Sequence, residues 1–371
     1  MFNRGGLTAI SVALAIHVYG QNPVPSSAPT TSSPSTAAKS PASSPSPSPT
    51  TEQIINSLGE ADLQAALSLL KANFASPDAI TDAELNRATL TGLLVRMPGG
   101  LMLLANREGT TAENAGPFYS EIFEGHLGYL RFGDLNAANL KELDKKLQEF
   151  GQKKIDAAII DLRASSTGDF ASAADFAKRF CPKGKPLFSV RKPGARQDRQ
   201  FTSDRDPAFQ GLIVVLVDST TAGGAEAVAA TLKLYDKALI IGQSTAGRAV
   251  EYSDQPLPSG KILRVASAEA VLPDGQPVFP AGVKPDLPVE MPETEKRQVF
   301  RQSAEKGMGP FVYETDRPHL NEAALMAGTN PELDIPDAQR RLRSRSGQPL
   351  RDPVLQRALD VVTSLEIYQK H

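Results

Sequence analysis

Hydroxyls, glycines and one arginine crowd the stretch from Leu212 to Tyr252, LIVVLVDSTTAGGAEAVAATLKLYDKALIIGQSTAGRAVEY. Ser219, Thr220 and Thr221 precede Gly223 and Gly224, while Ser244, Thr245 and Gly247 lead into Arg248. A serine or threonine hydroxyl becomes a nucleophile only with a base in hydrogen-bond reach and donors facing the oxyanion that forms. Arg248 cannot be that base, because a guanidinium stays protonated and has no acceptor lone pair. Gly223 has no side chain to offer. Two glycines opening a helix beside a cation suggest other chemistry: N–H groups at the helix start, together with Arg248, form a corner for an anion such as a carboxylate. The plainer expectation is that Arg248 pairs with Glu226 or Glu251 and holds its loop. A Ser-His-Asp arrangement finds no support, since His17, His126, His319 and His371 fall in the N-terminal apolar run, at the head of a strand and in the tail.

The elements that must position these residues follow from periodicity. LGYLRF from Leu127 reads as a strand, and Leu140, Leu143, Leu147 and Phe150 form the stripe of a helix. AAIIDL, Ala157–Leu162, is a short buried strand, followed by a helix from about Phe170 to Phe180, the strands LFSVRK and LIVVLVD, a helix Ala225–Tyr235 and the strand ALIIG. Alternation of this kind gives an α/β core with a largely parallel sheet. Ahead of it, Leu63, Leu67, Leu70 and Phe74 share one helical face, and after the Ser76-Pro77 break Asp82 can cap a second helix carrying Leu85, Leu90, Leu93 and Leu94.

Strand, small-residue turn, helix, Tyr235, Gly242 at a strand end, Asp161-Leu162-Arg163 and the Gly282-Val-Lys-Pro-Asp286 segment occur in the order found in the C-terminal processing (tail-specific) protease family, which the core resembles from Leu127 to Asp286. The resemblance implies a ClpP/crotonase-like ββα superhelical core behind an N-terminal helical cap, with a helical C-terminal tail. It also implies a serine nucleophile in the first turn and a lysine base in the second. Aligned without a gap, those positions hold Gly223 and Arg248. The family's Asn-Asn-Pro-Gly-Gly loop is here Ala164, Ser165, Ser166, Thr167, Gly168, so Thr167 replaces the first glycine and only Gly168 remains. The Asp sometimes found one residue before the tyrosine is Leu234. Pro98–His126 is too short for the PDZ domain those proteases often carry, so the module that captures a substrate's C-terminus by strand addition is not expected. The resulting expectation is a pseudopeptidase whose retained cleft, Gly223, Gly224, Arg248, Thr167 and Gly168, binds peptide or protein ends or serves a scaffold. The alternative is an active serine- or threonine-type peptidase using a relocated hydroxyl, Thr221 or Ser219, the former two residues from Gly223. Asp274, in the Pro273–Gly275 turn, and Asp286 are read as structural.

Composition bounds the rest. Arg4 before an apolar run Leu7–Ala15, with Val18 and Gly20 preceding Gln21, reads as a cleavable signal peptide over 1–20, which points to export to the periplasm or beyond. No spanning segment is expected after cleavage. From Pro23 to Thr51 all residues but Val24 and Lys39 are Pro, Ser, Thr or Ala, a spacer without apolar surface to bury, assigned to 21–52. The cap is assigned to 53–105, the core to 120–290 and a C-terminal extension to 291–371. That extension ends in a helix near Asp352 with Val354, Leu355, Ala358, Leu359, Val362 and Leu365 on its apolar face, docked on the core or on a second subunit. One cysteine, Cys181, excludes an intramolecular disulfide and reads as a structural thiol at a helix end. Net charge is −2 with mixed signs and no basic stripe, which argues against nucleic acid. No cofactor or metal motif is read. Homo-oligomerisation through cap and final helix is an open expectation.

Overall fold

The computed structural model describes residues 50–73, 80–105, 117–166, 168–312 and 350–369. The signal peptide, nearly all of the spacer, Phe74, Ser76-Pro77, Thr167, His319 and His371 lie outside the described residues. Helix formation begins inside the stretch assigned as spacer. Thr50 caps α1 (Thr51–Ser57) by accepting from Gln53 N–H, while the Gln53 side chain accepts from Thr50 N–H, a reciprocal pair that fixes the helix start.

The chain forms two compact units, 1–75 and 76–371. In the first, α2 (Glu60–Asn73) has no buried residue, and its stripe Leu63, Leu67 and Leu70 is 42%, 46% and 46% exposed. In the second, α3 (Asp82–Arg96) is capped by Thr81, whose hydroxyl accepts from Glu84 N–H, and not by Asp82, which is the first helical residue. Leu101–Leu104, assigned to the cap, forms β1 and pairs with a strand of the core.

Six strands make the central sheet: β2 (Tyr119–Phe123), β3 (Leu127–Arg131), β4 (Ala157–Asp161), β7 (Leu212–Val217), β8 (Ala238–Gly242) and β11 (Leu287–Pro288), in the order β11-β8-β7-β4-β3-β2. All neighbours from β3 to β11 run parallel; only β2 is antiparallel to its partner. Both faces are covered, which is why β4 and β7 read as continuous apolar runs. Alternate residues face opposite cores. Ala158, Ile160, Ile213, Val215 and Ile240 pack with α4 (Ala137–Lys153), α5 (Phe170–Ala177) and α6 (Gly224–Leu234), while Tyr129, Ile159, Val214, Leu216 and Ile241 pack with the C-terminal helices.

The strand LFSVRK does not join this sheet. As β5 (Pro186–Arg191) it belongs to a second, antiparallel sheet with β1, β6 (Arg199–Thr202), β9 (Val250–Pro256) and β10 (Ile262–Val271). The reason is local: β5 runs into a Pro193-Gly194 turn and returns as a hairpin, with no helix to carry a parallel crossover. Beyond β11 the extension supplies α7 (Glu293–Lys306), the single turn α8 (Gly309–Val312) and α9 (Pro353–Gln369). Val299, Phe311, Val354, Leu355, Ala358 and Val362 are buried against the sheet, so the final helix docks on the core of its own chain.

Candidate functional site

Parallel strands β4, β7 and β8 end side by side, and the loops leaving their C-terminal ends meet there, the usual location of sites in such sheets. From β4 come Asp161–Gly168, from β7 Asp218–Gly223, and from β8 Gln243–Ala249. Main-chain bonds join the three: Ala222 N–H donates to Ser165 O (3.0 Å) and Ala246 N–H to Thr221 O (2.9 Å).

Gly223 and Gly224 sit where the first two loops touch. A Cβ on Gly224 would lie 2.9 Å from Ala173 Cβ and 3.5 Å from Gly168 O, and one on Gly168, at φ +103°, would lie 2.5 Å from Leu135 O. These glycines permit close packing of backbone on backbone. Gly223 differs. Its φ of 61° and ψ of −124° are unfavourable for a residue with a side chain, but the space is open, since the nearest atom to an added Cβ is Ser166 O at 3.9 Å.

Glu226 binds the site together. It is wholly buried at the third position of α6 and accepts four hydrogen bonds: from Gly223 N–H (3.1 Å), Arg248 N–H (2.7 Å), Gly247 N–H (2.7 Å) and the Thr245 hydroxyl. One carboxylate oxygen serves both Gly223 and Arg248, which fixes their main chains side by side. Thr245 Oγ1 also accepts from Val283 N–H (2.8 Å), tying in the closing segment. Burial pushes the Glu226 carboxyl above its ordinary value, against the pull of these donors.

This arrangement corrects two expectations. The backbone donors at the start of α6 do not all await an external anion, because the chain's own Glu226 already takes Gly223 N–H. Nor does the Arg248 side chain pair with Glu226 or Glu251: Glu226 takes its main-chain N–H, and Glu251 pairs with Arg199. Among the described residues the Arg248 guanidinium has no hydrogen-bond or ion-pair partner, although the residue is only partly exposed. Its stem packs at the Gly99 turn, where a Cβ would come within 2.7 Å of Arg248 Cγ, and the Tyr252 hydroxyl donates to Gly99 O (2.7 Å).

The hydroxyls have other duties. Thr221 is fully buried; it donates to Leu162 O (2.9 Å) and accepts from Asp218 N–H (3.0 Å), so it closes a turn and cannot meet a substrate. Ser219 is exposed on that turn. Thr220 Oγ1 donates to Asp218 Oδ1 (2.8 Å) and accepts from Lys296 Nζ (2.9 Å), a contact that superficially resembles a hydroxyl–lysine dyad. Lys296 is 2% exposed, however, and its ammonium also donates to Asp218 and Glu293, which leaves it no lone pair with which to accept a proton. Burial alone would raise Asp218, but Lys296 and the Thr220 hydroxyl outweigh it and hold its carboxyl below the ordinary value. Ser165 Oγ is buried and, among the described residues, unpaired.

Arg163 was read from sequence as a family signature; the structure shows what it touches. It is 2% exposed and forks between two carboxylates, Asp161 (2.6 Å) and Asp352 (2.7 Å), with Tyr129 Oη donating to Asp161 (2.6 Å). The sequence marks Asp352 only as the approximate start of the final helix and carries no signal for Lys296. The Asp352-Pro353 start of the final helix carried a capping signal, but nothing local linked it to Arg163, 189 residues away. Asp286 accepts from Ile240 N–H and pairs with Lys233, and Asp274 accepts from Gln276 N–H, both in turn or strand positions. Cys181 is buried beyond the end of α5, and burial pushes its thiol up to about 11. Among the described residues no group of His, Cys, Asp and Glu is arranged to hold a metal ion, and no helix is long and apolar enough to cross a membrane.

The chain is similar in sequence to known proteins. Residues 126–289 fit the model of peptidase family S41. The carboxyl-terminal-processing protease of Synechocystis sp. is 28% identical over 166 residues, 45% of this chain and 38% of the relative. Carboxy-terminal processing protease CtpA of Bacillus subtilis is 26% identical over 214 residues, 57% of this chain and 43% of the relative. Among solved structures, the photosystem II D1 C-terminal processing protease aligns over 51% of this chain and 47% of its own at 21% identity and a TM-score of 0.39. A lipoprotein from Streptococcus agalactiae aligns over 66% and 90% at 15% identity and a TM-score of 0.43. Over residues 126–289 the chain matches peptidase family S41 and is similar to C-terminal processing proteases. The chain spans less than half the length of these two curated relatives.

Proposed function

We propose that this S41-family chain has lost peptidase activity and uses the retained cleft to bind peptide or protein ends, with Gly223 at the position of the family's serine and Arg248 at that of its lysine. One observation carries the reading. Glu226 fixes the main chain of Arg248 beside that of Gly223, the partly buried Arg248 guanidinium has no hydrogen-bond or ion-pair partner among the described residues, and no accessible hydroxyl there is paired with a base. A carboxylate is the natural ligand for such a cation, because a guanidinium binds it through two parallel hydrogen bonds. Glu226 turns its oxygens to four donors within the protein and holds the site's shape. We further place the chain outside the cytoplasm, on the strength of the apolar run before Gln21; the N-terminal residue of the mature protein would be Gln21 if cleavage occurs there, and Met1 overturns that placement.

The test has two arms on purified protein. A fluorophosphonate probe is expected to leave the chain unlabelled; labelling abolished by Thr221→Ala or Ser219→Ala instead establishes the relocated-hydroxyl peptidase. Isothermal calorimetry with short peptides is expected to detect binding that requires a free C-terminal carboxylate. Arg248→Ala is expected to weaken it by about tenfold or more, the worth of a charge-assisted bond of about 1.5–3 kcal/mol. Equal affinity for amidated peptides removes the reading.

A further inference from the structure

The C-terminal extension lies outside the family match, yet it makes charged contacts with the ends of β4 and β7, two of the three strands whose loops meet at Gly223. At the end of β4, Asp352 accepts from both Arg163 Nη1 (2.8 Å) and Nη2 (2.7 Å), while Arg163 Nε and Nη2 bond Asp161. Asp352 is fully buried and also accepts from Leu355 N–H through Oδ1 (2.9 Å), so the carboxylate that starts α9 is the one that holds Arg163. At the end of β7, Lys296 from α7 reaches Asp218 and Thr220, and Asp218 Oδ1 in turn accepts from Thr220 N–H (2.9 Å) and Thr221 N–H (3.0 Å). Phe300, one turn after Lys296, lies beneath both guanidinium groups of the sheet face, 4.2 Å from Arg131 Cζ and 5.2 Å from Arg163 Cζ.

We infer that α7 and α9 position two of the three loops that meet at Gly223 through Lys296 and Asp352, which act as positioning residues on loops 162–166 and 218–223. Two buried charges of the core, Arg163 and Asp218, each take a partner from the extension, Asp352 and Lys296. A charge pair this deeply buried is directional, and a partner removed leaves a loop anchored on one side only. The two loops meet at the bond from Ala222 N–H to Ser165 O, directly before Gly223, so a shift at either clamp arrives at the same point. The functional significance of that point rests on the binding reading above; the positioning itself does not.

Hydrogen–deuterium exchange on the full chain tests it. Two variants are compared with the parent: Asp352→Asn, which keeps shape and cap but drops the charge, and the double variant Asp218→Asn/Lys296→Met, which leaves no unpaired charge while the Asn oxygen can still close the turn. In each, the amides of Arg163, Ser165, Thr221 and Ala222 are expected to exchange about tenfold or more faster, while those within β4, β7 and β8 keep their rates. Unchanged loop amides in a folded variant overturn the inference, as does an even loss of protection across the sheet, the mark of a merely structural role. Should Asp352→Asn fail to fold, the double variant decides alone. Calorimetry with carboxylate-ended peptides on the same variants separates the two proposals: absence of binding by the parent removes the binding reading, and the exchange result stands by itself.

Discussion

Gly223 sits where the loops leaving β4 and β7 meet. Its backbone conformation suits glycine, and an added Cβ would meet nothing nearer than Ser166 O at 3.9 Å beyond its chain neighbours, so the absence of a Cβ there is not a matter of crowding. Gly223→Ser is therefore expected to fold with a loss of about 1–3 kcal/mol from the positive φ. It is expected to stay inert to a fluorophosphonate probe, because the neighbouring guanidinium cannot take the proton. Urea unfolding and probe labelling measure the two effects, and labelling of the variant would refute the account. Gly223, Gly224, Gly168 and Arg248 were all legible in the sequence from small-residue turns and strand ends. What Arg248 does with its side chain was not. The sequence offered Glu226 and Glu251 as partners by proximity, but one is consumed by main-chain donors and the other by Arg199 on a different strand.

At the scale of elements, the parallel sheet was readable because strands buried on both faces are largely apolar and β3, β4 and β7 are each followed by a helix. The antiparallel sheet was not, since β5 looks like any other apolar run and its partner β10 is far away in sequence. The helices of the extension were half legible. α9 announced itself by its apolar face, whereas α7 buries Lys296 and Ser303 beside Val299 and so reads as polar. The charge centre that joins α9 to β4 makes a sharp prediction. Arg163→Met removes the cation between two buried carboxylates, and denaturant unfolding is expected to show a loss of about 3–5 kcal/mol, the cost of leaving buried charge uncompensated. A loss below about 1 kcal/mol would mean that Asp161 and Asp352 are reached by solvent and the clamp is weak.

Over the whole molecule, acidification tests how much these charges contribute. Asp218 and Asp144 are held below their ordinary values, Asp218 against burial by Lys296 and Asp144 chiefly by its hydrogen bonds from Arg179. A carboxyl depressed in the folded state contributes stability that is complete above its unfolded pKa of about 3.9 and is lost as pH falls through the lower folded value. The melting temperature is accordingly expected to fall as pH drops from 5 towards about 2. The slope should be shallower in Asp218→Asn/Lys296→Met, and parallel curves would show that the pair contributes nothing.

By itself the sequence determined the alternation of strands and helices and the glycine turns, and it puts Gly223 and Arg248 where the resemblance implies a hydroxyl and an amine. Each of these is written in neighbouring residues, in a period or in a missing atom. Only the tertiary structure decided which groups meet. Glu226 gathers donors from two loops, Lys296 reaches Asp218, and Asp352 closes on Arg163, in each case because the sheet brings together residues that the chain keeps apart, and buried charge finds a partner by position in space and not by distance in sequence.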